Sequence, residues 1–191
     1  GHSRKGRRYE YARLTPHGRH CKLGRIMYLP DGPQRPDPDK LDAFWRAACE
    51  NHPELAQGPG YQVRWIGLDD DSTEQVIELI ETGDKTGTFT LPWIIERTDQ
   101  PEPQVGDPII LIDFRGKPRL LVRLTRVYQV TFGEVTEDDI AIDGTPVRTL
   151  EVWKPLHTQY WNALLAPFDL SISEDMPVLV EPFELLERRA K

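Results

Sequence analysis

The segment GDKTGTFTL, residues 83–91, places one lysine and three threonines close to two glycines. Its order differs from that of a phosphate loop, in which the lysine directly follows the second glycine. A threonine hydroxyl becomes a good nucleophile only when a base removes its proton. A lysine amine can be that base only if burial or a nearby cation lowers its pKa. The segment therefore indicates a chemistry other than the binding of a nucleoside triphosphate.

Lys85 and Thr88 can act together only if both side chains reach one cleft. In a regular strand, residues three positions apart face opposite sides. We predict that Gly83 ends a helix in a left-handed cap and that Gly87 permits a bend or bulge between the two side chains. In the alternative, Lys85 lies on the surface and Thr86, Thr88 and Thr90 are ordinary strand residues with high β propensity.

Two helices and a strand precede this segment. A first helix is expected after Asp39 as the cap, with an apolar face and a stop at Pro53. The run YQVRWIG, residues 61–67, alternates in polarity like a half-buried strand. A second helix is expected from a capping box formed by Ser72 and Gln75.

Short β-type runs dominate the rest of the chain. They are GTFTL, PIILIDF, PRLLVRLT, VYQVTF and a final MPVLVEPFELL, in which Pro182 is expected at an edge or bulge. One late helix, TLEVWKPLHTQYWNALL, is expected to be kinked, or to start late, because it contains Pro155. The pattern predicts the α+β class, with a small twisted or barrel-like sheet flanked by a few helices.

Charge and proline divide the 191-residue chain, whose net charge is −7, into two parts. Residues 1–25 carry +7 and the remainder −14. We predict a basic arm and proline-rich linker over residues 1–38, and a single domain over 39–191. The arm suits contacts to nucleic-acid phosphates, or is merely a solvated tail.

Several classes of protein and site are not indicated. No apolar run approaches the ~18 residues of a membrane helix, so we expect a cytoplasmic protein without a membrane partner. Two cysteines are too few for a disulfide framework, and Cys49 is expected to be a buried thiol. No His, Cys or Asp cluster has zinc spacing, and we predict neither a metal nor a cofactor.

A series of motifs carries a resemblance to a known family. It comprises Phe44-Trp45, YQVRWIG, GDKTGTFTLPW, the P-x-x-G-D element at 103–107, FGEVTEDD, and Trp153 with His157. In this order, over residues 40–186, they resemble the ASCH family of the PUA-like β-barrel superfamily. The resemblance implies an RNA- or nucleoside-related role. Some family members are hydrolases, one an amidohydrolase of N4-acetylcytidine and another a ribonuclease.

The resemblance also implies catalytic residues. The amidohydrolase uses a lysine and a threonine spaced like Lys85 and Thr88, together with a glutamate whose place here falls on Asp143. Glu137 and Glu134 are the alternative carboxylates. An arginine of that enzyme corresponds here to Thr90. A carboxylate beside Lys85 favours its charged form, so Asp143 would orient the lysine or serve the leaving amine rather than activate a base.

We assign substrate binding to further residues around this segment, namely Thr86, Thr90, Trp93, Glu137, Trp153 and His157. Tryptophans can stack on a base, although they more often fill a core. The acidic body favours a modified nucleoside or a short single-stranded RNA as partner, aided by the basic arm. The candidates for a local basic patch on one face are Lys85, Arg64, Arg97, Arg119, Arg123 and Arg126. The alternatives are a non-catalytic RNA-binding module and a module for protein–protein regulation.

Overall fold

A computed structural model of the protein describes residues 7–9, 27–29, 34–98 and 100–189. These residues form five α-helices and eight strands. The helices are α1 (Pro38–Asn51), α2 (Asp70–Glu81), α3 (Pro92–Thr98), α4 (Glu137–Ile140) and α5 (Leu150–Leu165). The strands are β1 (Arg7–Tyr9), β2 (Met27–Leu29), β3 (Gln62–Trp65), β4 (Gly87–Thr90), β5 (Pro108–Ile112), β6 (Pro118–Leu124), β7 (Tyr128–Thr131) and β8 (Pro177–Arg188).

Six of these strands form one curled half-barrel sheet in the order β3-β5-β6-β8-β4, with β7 also paired to β8. Only β3 and β5 run parallel, and the other pairs are antiparallel. The long strand β8 joins the two halves of the sheet. Its first half pairs with β4 and β7, and its second half pairs with β6. The predicted α+β class with a small barrel-like sheet is confirmed.

Local chemistry fixes the helix ends, though not always at the predicted residue. Asp37, not Asp39, caps α1, and its side chain accepts a hydrogen bond from the Asp39 N–H. The capping box of α2 is formed by Asp69 and Ser72, three residues before the predicted pair. After α2, Gly83 has a φ of 77°, which confirms the left-handed cap.

Two predicted proline effects differ in the structure. Helix α5 is continuous across Pro155, so its start is not displaced to the proline. Pro182 lies inside β8 and pairs with Gly87 of β4, while the register shift of β8 falls opposite Leu121 and Val122. Pro182 therefore marks the point at which β8 passes from β7 to β6, rather than an outer edge or a bulge.

Each helix covers part of the sheet. Helix α1 packs on β3, β5 and β6, α2 packs on β5 and β6, and α5 packs with α3 and β7 in a third cluster. In the region predicted to be arm and linker, β1 and β2 form a short antiparallel pair. The other residues before 34, including most of the basic arm, lie outside the described residues.

Candidate functional site

A cavity of about 460 Å³ lies between the curled sheet and helices α2, α3 and α5. Its walls are mainly apolar, with a few polar side chains. Leu68 and Leu156 line it and are still 55% and 42% exposed, so they mark its mouth. This size and composition are typical of sites for small organic molecules.

Lys85 lies in the wall of the cavity, just after α2. Its backbone N–H donates to the Leu79 carbonyl, which continues the turn that ends the helix. The side chain is almost fully buried, and its Nζ lies 2.9 Å from Asp143 Oδ1. Because desolvating an ammonium group is unfavourable, this pairing is what permits Lys85 to be buried.

Asp143 receives hydrogen bonds from three directions. Its Oδ1 accepts from Lys85 and from the Gly144 N–H at 2.9 Å, and its Oδ2 accepts from the Trp153 indole N–H at 3.1 Å. The network holds the carboxylate in one orientation at the cavity wall.

His157 completes this wall of the cavity. Its ring stacks on Trp153 at a centroid distance of 4.0 Å, and its Nδ1 lies 2.9 Å from the Trp153 carbonyl oxygen. A carbonyl can only accept, so Nδ1 carries the proton and the neutral ring has a free lone pair on Nε2. Burial lowers the pKa of His157 to about 4, against the opposing effect of Asp143, whose Oδ2 is 3.8 Å from Nε2.

Thr88 lies in β4, directly across the ladder from Glu181 of β8. Lys85 precedes the strand, so the alternation of side chains along β4 does not apply between them. Gly87 contributes differently from our prediction of a bend. A Cβ at Gly87 would lie 2.4 Å from Ile142 Cδ1 and 2.9 Å from the Glu181 carbonyl oxygen, so glycine is needed for close packing.

A second polar cluster borders the same cavity. Glu181 has no exposed surface, and its Oε2 lies 2.5 Å from Arg64 Nη1 while its Oε1 lies 2.6 Å from Thr90 Oγ1. Arg64 and Thr90 both line the cavity. Sequence reasoning missed Glu181, although one signal was present: it is an acidic residue inside the otherwise apolar run from Val178 to Phe183.

The structure brings five of the predicted site residues to the cavity wall. These are Lys85, Thr88, Thr90, Asp143 and His157. Among the three candidate carboxylates, Asp143 contacts Lys85. Glu137 is exposed in the first turn of α4, and Glu134 is exposed and accepts a hydrogen bond from Thr131.

Three other predicted binding residues lie elsewhere. Thr86 is exposed, although the neighbouring Lys85 is buried. Trp93 packs in the cluster around α3 and α5. Trp153 has no exposed surface, so its ring cannot stack on a ligand, and its indole instead orients Asp143. These three residues do not line the cavity.

The basic patch that we predicted is largely neutralised by carboxylates. Five of its six cations are ion-paired, as Arg64–Glu181, Lys85–Asp143, Arg97–Glu96, Arg119–Glu74 and Arg123–Glu184. The sixth, Arg126, lies over the Tyr128 ring at 4.2 Å. The cationic groups therefore present little unpaired charge for a polyanion.

Two other classes of site are not found among the described residues. In this part of the chain, no three His, Cys, Asp or Glu side chains are grouped as metal ligands would be. Its helices also include none that is both long enough and apolar enough to span a membrane.

Comparison with known proteins places the fold. The family model for the ASCH domain matches residues 64–187. The crystal structure of an ASCH domain from Lactobacillus crispatus JV V101 aligns with a TM-score of 0.70 at 20% identity, covering 78% of this chain and 94% of that one. A protein from Enterococcus faecalis V583 aligns with a TM-score of 0.69 at 24% identity, covering 78% and 90%. A search of curated proteins finds no match.

Proposed function

The chain belongs to the ASCH domain family, and from that premise we propose that its cavity binds a modified nucleoside and hydrolyses an amide bond in it. One observation carries the proposal. Lys85, Thr88, Asp143 and His157, from three separate parts of the sequence, line one mainly apolar cavity of about 460 Å³. Such a cavity has room for a nucleoside and offers apolar walls to a planar base.

The charges of the cavity wall favour an uncharged ligand. Its two cations, Lys85 and Arg64, are each paired with a buried carboxylate, and His157 is neutral near pH 7. A phosphate would have to compete with Asp143 or Glu181 for these cations. We therefore propose a nucleoside, rather than a nucleotide or an RNA strand, as the substrate.

The ion pair with Asp143 suggests a different role for Lys85 from that of a base. An amine that already donates to a carboxylate is oriented to give hydrogen bonds rather than to take up a proton. Lys85 Nζ donates one hydrogen to Asp143, its only hydrogen-bond partner in the described part of the chain, so two hydrogens remain for a ligand oxygen. Charged donors of this kind stabilise the oxyanion that forms during amide hydrolysis.

The proton acceptor is then His157, whose Nε2 lone pair is free at neutral pH. Thr88 Oγ1 attacks the acyl carbon, and its proton passes to Nε2. The C–N bond then breaks, its electron pair stays on nitrogen, and the imidazolium returns the proton to the leaving amine. A water molecule then hydrolyses the acyl-threonine ester, which gives a carboxylic acid and regenerates the Thr88 hydroxyl.

The test is to incubate the protein with N4-acetylcytidine and to measure release of cytidine by chromatography. We expect Lys85→Ala to lower the rate by about 10²- to 10³-fold, as loss of an oxyanion donor does. Thr88→Val should remove the acyl-enzyme, which mass spectrometry would detect in the wild type. Lys117→Ala, at an exposed lysine, is the matched control and should keep the full rate.

Three other outcomes would change the proposal. Binding of the nucleoside with no release of cytidine would leave a binding site without catalysis. Salt-dependent binding of single-stranded RNA that is lost on deleting residues 1–25 would instead favour the non-catalytic RNA-binding module. A rate that Lys85→Ala leaves unchanged would remove Lys85 from the mechanism.

A further inference from the structure

The buried carboxylate of Glu181 is not used in the proposed mechanism, and it calls for a physical explanation. It lies in β8 with no exposed surface, bonded to Arg64 and to Thr90. A buried ion pair adds little stability on balance, because the loss of hydration offsets the attraction between the charges. An apolar pair of similar size would serve the core equally well. The explanation lies in the polar groups that this cluster presents to the cavity.

The hydrogen-bond directions in the cluster are determined by its chemistry. A carboxylate that is paired with a guanidinium has no hydrogen to give, so Thr90 must donate its single hydroxyl hydrogen to Glu181 Oε1. The Thr90 oxygen keeps its lone pairs and can only accept from a ligand. Arg64 donates from Nη1 to Glu181 and weakly from Nη2 to Gln62 at 3.4 Å, so N–H donors remain on its guanidinium.

Arg64 and Thr90 lie side by side, because they bond to the two oxygens of a single carboxylate. Both line the cavity, in whose wall Lys85 and Asp143 also lie. Together they present donors next to an acceptor. That is the complement of a planar group with an acceptor beside an N–H donor, such as a carboxamide or the edge of a nucleobase.

We propose that Arg64 and Thr90, oriented by Glu181, form a recognition site for the neutral amide-like edge of the ligand. Arg64 donates to the ligand carbonyl, and Thr90 accepts from the adjacent N–H. Glu181 is a positioning residue, since it touches these two side chains rather than the ligand. The inference rests on the proposed use of the cavity as a ligand site, but it does not require the ligand to be a nucleoside.

Two small probes isolate the contact to Thr90. Benzamide and acetophenone share a phenyl ring and a carbonyl group. Benzamide has an NH₂ group at the position where acetophenone has a methyl group. Titrations followed by NMR of backbone amides and arginine side chains would give the dissociation constants. In the wild type we expect benzamide to bind about three- to tenfold more tightly than acetophenone, the worth of one neutral hydrogen bond. In an apolar cavity without this acceptor, the more apolar acetophenone would bind better.

Three variants test the direction of the Thr90 hydrogen bond. Thr90→Val keeps the shape but removes the hydroxyl, and it should abolish the preference for benzamide. Thr90→Ser keeps a hydroxyl and should keep the preference for benzamide. In Glu181→Gln, the amide oxygen accepts from Arg64 and the amide NH₂ donates to Thr90, so Thr90 becomes a donor and the preference should also disappear. Thermal unfolding of each variant establishes that the comparison is made on folded protein.

The outcomes separate this inference from the proposed function. A wild-type protein that binds benzamide no more tightly than acetophenone, or a preference that survives Thr90→Val or Glu181→Gln, would overturn the recognition site. If the preference behaves as expected but N4-acetylcytidine neither binds nor reacts, the proposed function fails and the recognition site stands.

Discussion

Two buried ion-pair clusters of this protein are built from similar residues but have different roles. At the cavity, Lys85 and Asp143 have side chains that are 8% and 9% exposed and lie 2.9 Å apart. At the turn between β5 and β6, Arg119 and Asp113 are 5% and 6% exposed and lie 3.3 Å apart. Burial and pairing alone therefore do not distinguish them.

The clusters differ in what their polar groups bind. Asp113 accepts the backbone N–H groups of Arg115 and Lys117 at 2.9 Å, so it closes the turn in addition to pairing with Arg119. Arg119 also pairs with Glu74 of α2 at 2.5 Å, which ties the sheet to the helix. Neither Arg119 nor Asp113 lines the cavity.

The Arg119 cluster also leaves one buried donor, Arg119 Nε, without a hydrogen-bond partner among the described residues, but that donor does not border the cavity. The Lys85 cluster, in contrast, has unused donors and an unused acceptor at the cavity wall. Lys85 has two ammonium hydrogens without a hydrogen-bond partner in the described part of the chain, and His157 has a free lone pair. Both residues line a cavity. The difference teaches that a functional site is indicated by unused hydrogen-bonding groups at a cavity, and not by buried charge as such.

The largest expected effect comes from removing the cation of each cluster in the same way. Arg119→Met should lower the free energy of unfolding by about 3–5 kcal/mol, because it leaves the buried Asp113 charge unpaired. Lys85→Met should lose a similar amount for the same reason. Only Lys85→Met should also lower the rate of cytidine release from N4-acetylcytidine, by about 10²- to 10³-fold. Urea unfolding and the rate per folded molecule measure the two properties separately.

This pair of variants can break the comparison directly. If Arg119→Met lowers the rate per folded molecule as much as Lys85→Met does, the two clusters do not have separate roles. Assays at low temperature, where both variants remain folded, keep loss of activity distinct from loss of fold.

The two clusters should also differ in their response to acid. The pKa of His157 is lowered to about 4 in the folded protein, mainly by burial, against 6.5 for an ordinary histidine. The unfolded chain therefore binds a proton more readily between these values. The resulting stability is complete above pH 6.5 and is lost as the pH falls to about 4, in total about 3 kcal/mol.

The matched measurement is the free energy of unfolding from pH 7 to pH 4 in the wild type, His157→Asn and Arg119→Met. His157→Asn should remove the extra loss of unfolding free energy below pH 6.5. Arg119→Met should keep the wild-type slope of unfolding free energy against pH in this range. A slope that is the same in the wild type and His157→Asn would contradict the lowered pKa.

Sequence patterns predicted the parts of this comparison that depend on local chemistry. The apolar face of α1, the alternating strand at residues 62–65 and the left-handed Gly83 follow from neighbours within a turn or two of chain. The cap of α2 was placed three residues late, because Asp69 and Ser72 form a box as readily as Ser72 and Gln75.

The remainder depends on pairing between distant segments, which no local pattern encodes. Glu181 of β8 meets Thr90 because β8 pairs with β4. It meets Arg64 of β3 because the curled sheet brings β3 close to β8, although β5 and β6 lie between them in the strand order. Trp153 lies on the apolar face of α5, as expected, but only the position of Asp143 makes its indole a hydrogen-bond donor. The polar residues of the cavity were thus partly predictable, and their partners were not.

A smaller effect is expected from the glycine beside the Lys85 cluster. Gly87→Ala places a methyl group against Ile142 and the Glu181 carbonyl, and it should lower the free energy of unfolding by about 1–3 kcal/mol. Because the clash displaces β4, the rate should fall as well. Gly58→Ala, where the added carbon lies 3.5 Å from its nearest neighbour, is the control. If Gly87→Ala behaves like this control, the packing of β4 against Ile142 is not tight.

The smallest effect is expected at an ion pair that is neither buried nor next to the cavity. Arg115 and Asp70 lie 3.1 Å apart with side chains that are 67% and 46% exposed. Water and salt screen such a pair, so Arg115→Ala should change the free energy of unfolding by about 0.5 kcal/mol at most. The measurement is urea unfolding at low and high salt.

Because Asp113 accepts the backbone N–H of residue 115, and not its side chain, the β5–β6 turn should remain closed in this variant. A loss as large as that of Arg119→Met would mean that the exposed pair, rather than the buried cluster, stabilises this turn.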